Sequence, residues 1–96
     1  MLVIIWRYRV AVHHAAFEAA YGPKGEWAKL FSQSPDYLGT ELLVSGQDYL
    51  TVDRWRSVEA YDAFIEEHAD GYRQLDAKCE VLAQSEELVG RYARVA

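Results

Sequence analysis

Ninety-six residues, 51% of them hydrophobic, make one domain over 1–96 with a thin core, and three Trp, seven Tyr and three Phe offer more apolar surface than so small a monomer hides comfortably. The net charge of −5, with no basic run beyond the pairs Arg7/Arg9 and Arg54/Arg56, excludes the stripe that nucleic-acid phosphates require. The single Cys79 excludes an internal disulfide and a Cys-rich zinc site and fits a reducing cytoplasm; Met1 to Trp6 is apolar but far too short to span a bilayer, so no membrane partner is expected.

Leu2 to Val10 alternates, with Leu2, Ile4, Trp6, Tyr8 and Val10 on one face and Val3, Ile5, Arg7 and Arg9 on the other, which predicts a strand. His13 to Ala20 is Ala-rich and predicts a helix that Gly22-Pro23 interrupts. A second helical piece carries Trp27, Leu30 and Phe31 on one stripe and runs to about Ser34, where Pro35 stops it. Tyr37–Val44 and Tyr49–Trp55 are rich in β-branched and aromatic residues. The turn-forming cluster Ser45-Gly46-Gln47-Asp48 between them predicts a β-hairpin. Ser57 is placed to cap the helix that follows, with Glu59 in its first turn. Tyr61, Phe64, Ile65, His68, Tyr72, Leu75, Cys79 and Leu82 recur at spacings of three and four, a helical stripe that Gly71 is expected to break near Ala69-Asp70-Gly71. Glu87 to Val95 alternates again, with Leu88, Gly90, Tyr92 and Arg94 opposed to Val89, Arg91, Ala93 and Val95, and predicts a last strand.

The order is therefore β, broken α, β, β, broken α, β. This is the α+β, ferredoxin-like βαββαβ pattern: a four-stranded antiparallel sheet with its helices on one face. The opposite sheet face carries apolar residues, so a second sheet is expected to cover it. The expected partner is a second copy, in a homodimer through the sheet faces that makes a dimeric α+β barrel.

Phe17–Pro23, Trp27–Phe31, Tyr37–Leu43, Asp53-Arg54-Trp55 and Tyr61–Phe64 together resemble the antibiotic biosynthesis monooxygenase-like family, over roughly Val3 to Tyr92. The resemblance implies the fold and the dimer. It also points to cofactor-independent monooxygenases that turn phenolic or quinol-type aromatics into quinones, or to haem-degrading enzymes. Both groups use an Asn in the pocket with Trp and either Tyr or His. Trp55, Tyr72 and His68 stand for the aromatic and His members, but the chain contains no Asn, so the Asn-Trp-His set of haem degradation cannot be completed. No bound organic cofactor is implied.

His68 falls on the inward stripe, where the functional reading is a general base for a phenolic proton and the plain one a helix-end histidine. Tyr49, Thr51, Asp53 and Trp55 share a strand face at a spacing of two. That face offers an aromatic platform with one carboxylate for a planar ligand. The plain alternative is a core Trp55 and an Asp53–Arg7 or Asp53–Arg9 cross-strand pair. His68 is thus the expected catalytic residue, with Trp55, Tyr72, Tyr49 and Asp53 binding a small aromatic ligand. His14 and Glu18 have a spacing that can hold a metal but read as a solvated pair, and no metal is expected. Cys79 reads as an inert core thiol and Glu86-Glu87 as solvated charge. Three functions fit these residues: an oxygenase, a non-catalytic binding or sensing module using the same cleft, and an assembly unit without a ligand.

Overall fold

The alternation of Leu2, Ile4, Trp6 and Tyr8 forms strand β1, Leu2–Arg9, in a computed structural model that describes residues 1–95. Helices α1 (His14–Tyr21) and α2 (Glu26–Phe31) follow, then β2 (Tyr37–Ser45), β3 (Asp48–Trp55), α3 (Val58–Glu67), α4 (Ala69–Cys79), a 3₁₀ turn at Glu80–Leu82, and β4 (Ser85–Ala93). The four strands lie in the order β2-β3-β1-β4, and every neighbouring pair is antiparallel. Both broken helical segments cross the same face, giving the ferredoxin-like arrangement expected from the element order. No helix among the described residues is long and apolar enough to cross a membrane.

The local signals act where the sequence puts them. The hairpin turns through Gly46-Gln47, with Gly46 at φ +62, a conformation open to glycine without steric cost. Ser57 caps α3 by accepting a hydrogen bond from the Ala60 N–H at 3.1 Å. The break between α3 and α4 falls at His68 (φ −112, ψ 27), not at Gly71, which sits in the first turn of α4. Gly71 instead lies against α2, where a Cβ would meet the Leu30 side chain at 3.5 Å, an ordinary van der Waals contact.

The last strand departs from simple alternation. Ile5 pairs with Gly90 but Trp6 pairs with Leu88, so Val89 is an extra residue and the strand bulges. Leu88 therefore lies on the helix side and Gly90 and Tyr92 on the open side, whereas the sequence pattern put all three on one face. The Tyr92 ring covers Gly90, and a Cβ at that position would lie 2.7 Å from it.

Leu2, Ile4, Tyr8, Tyr49 and Trp55 from the sheet pack against Phe17, Tyr21, Trp27, Phe31, Phe64 and Cys79 from the helices. The opposite face has no covering layer. Val3, Ile5, Leu50 and Val52 run down its middle, and the ion pairs Arg54–Glu41 (2.7 Å), Arg7–Glu87 (2.9 Å) and Arg9–Asp48 (3.3 Å) stand around them.

Candidate functional site

Between the helix-side face of the sheet and α2–α4 lies a cavity of about 160 Å³. Its aromatic walls are Trp6, Tyr8, Tyr21, Trp27, Phe31, Tyr61 and Tyr72. An apolar cavity of about 150 Å³ holds one benzene ring, so the enclosed space matches a single ring rather than a fused polycycle. The polar wall consists of Thr40, Thr51, Asp53, Asp76 and Glu86.

Asp53 is brought to the cavity by the β3 register, which sets it between Ile4 on β1 and Thr40 on β2. The Thr40 hydroxyl donates to Asp53 Oδ1 at 2.5 Å. Having given its one proton there, Thr40 accepts from the Tyr37 hydroxyl, also at 2.5 Å. The chain Tyr37→Thr40→Asp53 holds one carboxylate oxygen in place and leaves the other without a hydrogen bond from the described residues. Burial pushes the Asp53 carboxyl up to about 6, against the opposing pull of the Thr40 hydrogen bond. The expected pairing of Asp53 with Arg7 or Arg9 is not formed. Those arginines project from the opposite face, where Arg7 meets Glu87 and Arg9 meets Asp48. The period-two pleat separates odd and even positions of β1, and Asp53 stands opposite an even one.

At the other end of the cavity, Glu86 on β4 stands opposite Tyr8 and near Asp76 on α4. Burial, and then repulsion from Asp76, raise the Glu86 carboxyl above its usual range. The tyrosine hydroxyls of the walls move the same way: burial raises Tyr8, Tyr21, Tyr61 and Tyr72, which stay protonated at neutral pH.

Of the residues picked out from sequence, Asp53 and Tyr72 reach the cavity wall. Trp55, 0% exposed, lies behind it, packed on Phe31 (5.5 Å between ring centroids), Tyr37 (5.3 Å), Tyr61 (5.3 Å) and Phe64 (5.2 Å). His68 stacks on Phe64 at 4.4 Å, at the junction of α3 and α4 and off the cavity wall. Tyr49 is buried beside α1. His14 Nδ1 is 3.0 Å from its hydroxyl, which donates to Glu18 Oε2 at 2.6 Å. The His14/Glu18 spacing thus converges on a tyrosine. Among the described residues no group of three His, Cys, Asp or Glu side chains gathers as a metal site. Hydrogen bonding to Glu18, then burial, push the Tyr49 hydroxyl up to about 12. Tyr49→Phe should therefore lower stability by about 1 kcal/mol, read as a shift of the urea midpoint at unchanged slope. No loss would mean that water replaces both partners.

Trp6, Trp27, Tyr61, Asp76 and Glu86 were not singled out from sequence as site residues. Trp6 carried a usable signal, because it shares the helix-side face of β1 with Leu2, Ile4 and Tyr8. Glu86 did not, since its neighbour on α4 is distant in sequence.

No family model matches this chain, and no curated protein matches it either. Its fold, however, is that of several solved structures. SnoaB from Streptomyces nogalater, a cofactor-independent oxygenase, superposes with a TM-score of 0.80 at 17% identity, over 99% of this chain and 93% of that one. A candidate antibiotic biosynthesis monooxygenase from Nitrosomonas europaea gives 0.72 at 17% identity, over 100% of both chains. A further antibiotic biosynthesis monooxygenase gives 0.64 at 18% identity, again over 100% of both. These structures share one architecture with the present chain at low sequence identity.

Proposed function

We propose that this chain is a cofactor-independent monooxygenase-like protein acting on a small phenolic or quinol-type ring held between the sheet and the helices. The observation that carries the reading is Asp53: a carboxylate fixed by Thr40 through one oxygen, at the wall of an aromatic cavity sized for one ring. The shared fold of a cofactor-independent oxygenase supports it.

In this reading Tyr72, Tyr61, Trp6 and Trp27 hold the ring by its faces and edges. Asp53 accepts the phenolic proton, which raises electron density at the ortho and para carbons. Dioxygen bonds to one of these that bears hydrogen, and the O–O bond then breaks. One oxygen atom stays as the second quinone carbonyl and the other leaves as water with the two displaced hydrogens. The substrate itself supplies the four electrons. Trp55 backs the wall, and Tyr49 ties α1 to β3.

The test is oxygen uptake with single-ring phenols and hydroquinones, followed by quinone absorbance. Turnover of at least one of them is expected. Binding without oxygen uptake would favour the non-catalytic module. His68 is the competing base, and His68→Ala separates the two assignments: it should leave turnover within about threefold, because the ring is stacked on Phe64 away from the cavity. A loss of about 10²–10⁴ in that variant would return the role to His68.

The open sheet face supports the homodimer. Its apolar middle, flanked by charges of both signs, suits burial against a second copy related by a twofold axis. A second copy packed there would cover the half-buried Val3, Ile5 and Leu50 and the exposed Leu43. Sedimentation should give a dimer at micromolar concentration, and Leu43→Lys, at an exposed position beside Leu50 on that face, a folded monomer; a monomeric parent protein would overturn the assignment. The lone thiol Cys79, buried and unpaired among the described residues, supports a reducing, cytoplasmic setting.

A further inference from the structure

The sign of charge around the cavity carries an inference about its ligand. Seven aromatic rings line it, and an aromatic face attracts cations through its quadrupole. All three of its charged wall residues, Asp53, Asp76 and Glu86, are acidic, and among the described residues no lysine or arginine lines it. The cavity continues into a groove that shares Tyr8, Tyr21, Asp76 and Glu86 with it and adds Glu80, again without a basic residue. Arg91 lies over the Tyr61 ring at 5.2 Å but is paired with Asp62 at 3.5 Å. A carboxylated or sulfonated ring would therefore meet like charge at both ends.

The carboxylates are also spaced apart. Asp53 lies opposite Ile4 and Glu86 opposite Tyr8, four residues along β1 and two strands across the sheet. That sets their Cα atoms roughly 17 Å apart, and side chains reaching into one cavity bring the carboxylates to about 10–13 Å. A phenol bearing an amine on a two-carbon arm, with a hydrogen bond at each end, spans a similar distance, about 13 Å.

We propose that the ring taken by this cavity carries a protonated amino group on a short alkyl arm, its hydroxyl meeting Asp53 and its ammonium meeting Asp76 and Glu86. The inference rests on the phenol reading above and adds the class of phenol. A phenolic amine is drawn in by charge at the mouth, stacked by the walls and oriented with its hydroxyl at the base.

The test compares three phenols of similar size: tyramine, para-ethylphenol and para-hydroxyphenylacetate, which are cationic, neutral and anionic at pH 7. Calorimetric titration of the intact protein should rank them in that order, tyramine binding about tenfold tighter than para-ethylphenol. In Asp76→Asn/Glu86→Gln the advantage of tyramine should fall to within about twofold. Both positions are exposed at the mouth, so the fold should tolerate the change. Equal binding of tyramine and para-ethylphenol, or a preference for the anion, overturns the inference and leaves the phenol reading standing. Failure of all three to bind removes the phenol reading and the inference with it. A tyramine preference that survives the double variant also overturns the assignment, since the charge would then be read elsewhere.

Discussion

Trp55→Ala is expected to lose roughly 3–5 kcal/mol of folding stability, the usual cost of deleting a fully buried large aromatic. A domain of this length is stable by only about 5–14 kcal/mol, so the variant should sit close to its unfolding transition at room temperature. The ring is 0% exposed and wedged among Phe31, Tyr37, Tyr61 and Phe64, from two helices and a strand that cannot all close on the gap together. Urea denaturation should show the loss as a lower midpoint, and calorimetry as a fall in melting temperature on the order of 20 °C. Because Trp55 stands behind the cavity wall, whatever fraction stays folded should bind a phenol with nearly unchanged affinity. A loss below about 1 kcal/mol, together with weakened binding, would instead make Trp55 a ligand-stacking residue.

Asp53→Asn should move activity and stability in opposite directions. Turnover should fall by about 10²–10⁴, because the amide keeps the shape and can still accept from Thr40 but cannot take a proton. Stability should rise at neutral pH. The Asp53 carboxyl lies at about 6 in the folded protein against 3.8 for an ordinary aspartate, so between these values the folded state binds the extra proton. Its contribution to stability is complete below about pH 4, is lost as pH rises through 6, and stays lost above it. The amide removes that loss, so the gain should be greatest above pH 6 and at most about 3 kcal/mol. Wild-type turnover should rise with pH through about 6 as the carboxylate ionises. Denaturation curves at pH 4 and pH 8, with oxygen-uptake rates over the same range, test both halves. A variant less stable at pH 8 than wild type would assign Asp53 to structure, with Thr40–Asp53 serving as a strand-to-strand tie.

On the proposed reading, the site keeps a cost in stability for the sake of a poised group. Asp53 is desolvated with no cation close enough to hold its charge, and the arginines of β1 are turned to the other face by the pleat. Had Arg7 stood one residue along, its guanidinium would have reached the same side and held the carboxyl low, and Asp53 would then be a poor acceptor at neutral pH.

The element order, the hairpin, the Ser57 cap and the two faces of β1 and β3 were legible in the sequence because each is a short-range matter. Alternation over eight residues, a Gly-containing turn and one capping hydroxyl determine them within a few neighbours. The expected fold follows from these pieces and from the rules that join them. Periodicity also put Tyr49, Thr51, Asp53 and Trp55 on one face, and it is that face which borders the cavity. It did not decide which of the four would border open space. Trp55 and Asp53 differ by one pleat repeat, yet one is core and the other cavity wall. His68 and Tyr72 share a helical stripe, yet one stacks on Phe64 and the other faces the cavity. That choice depends on where α2, α3 and α4 cross the sheet and where they leave a gap between them. Those gaps are a matter of packing between segments far apart in sequence, which no local period encodes.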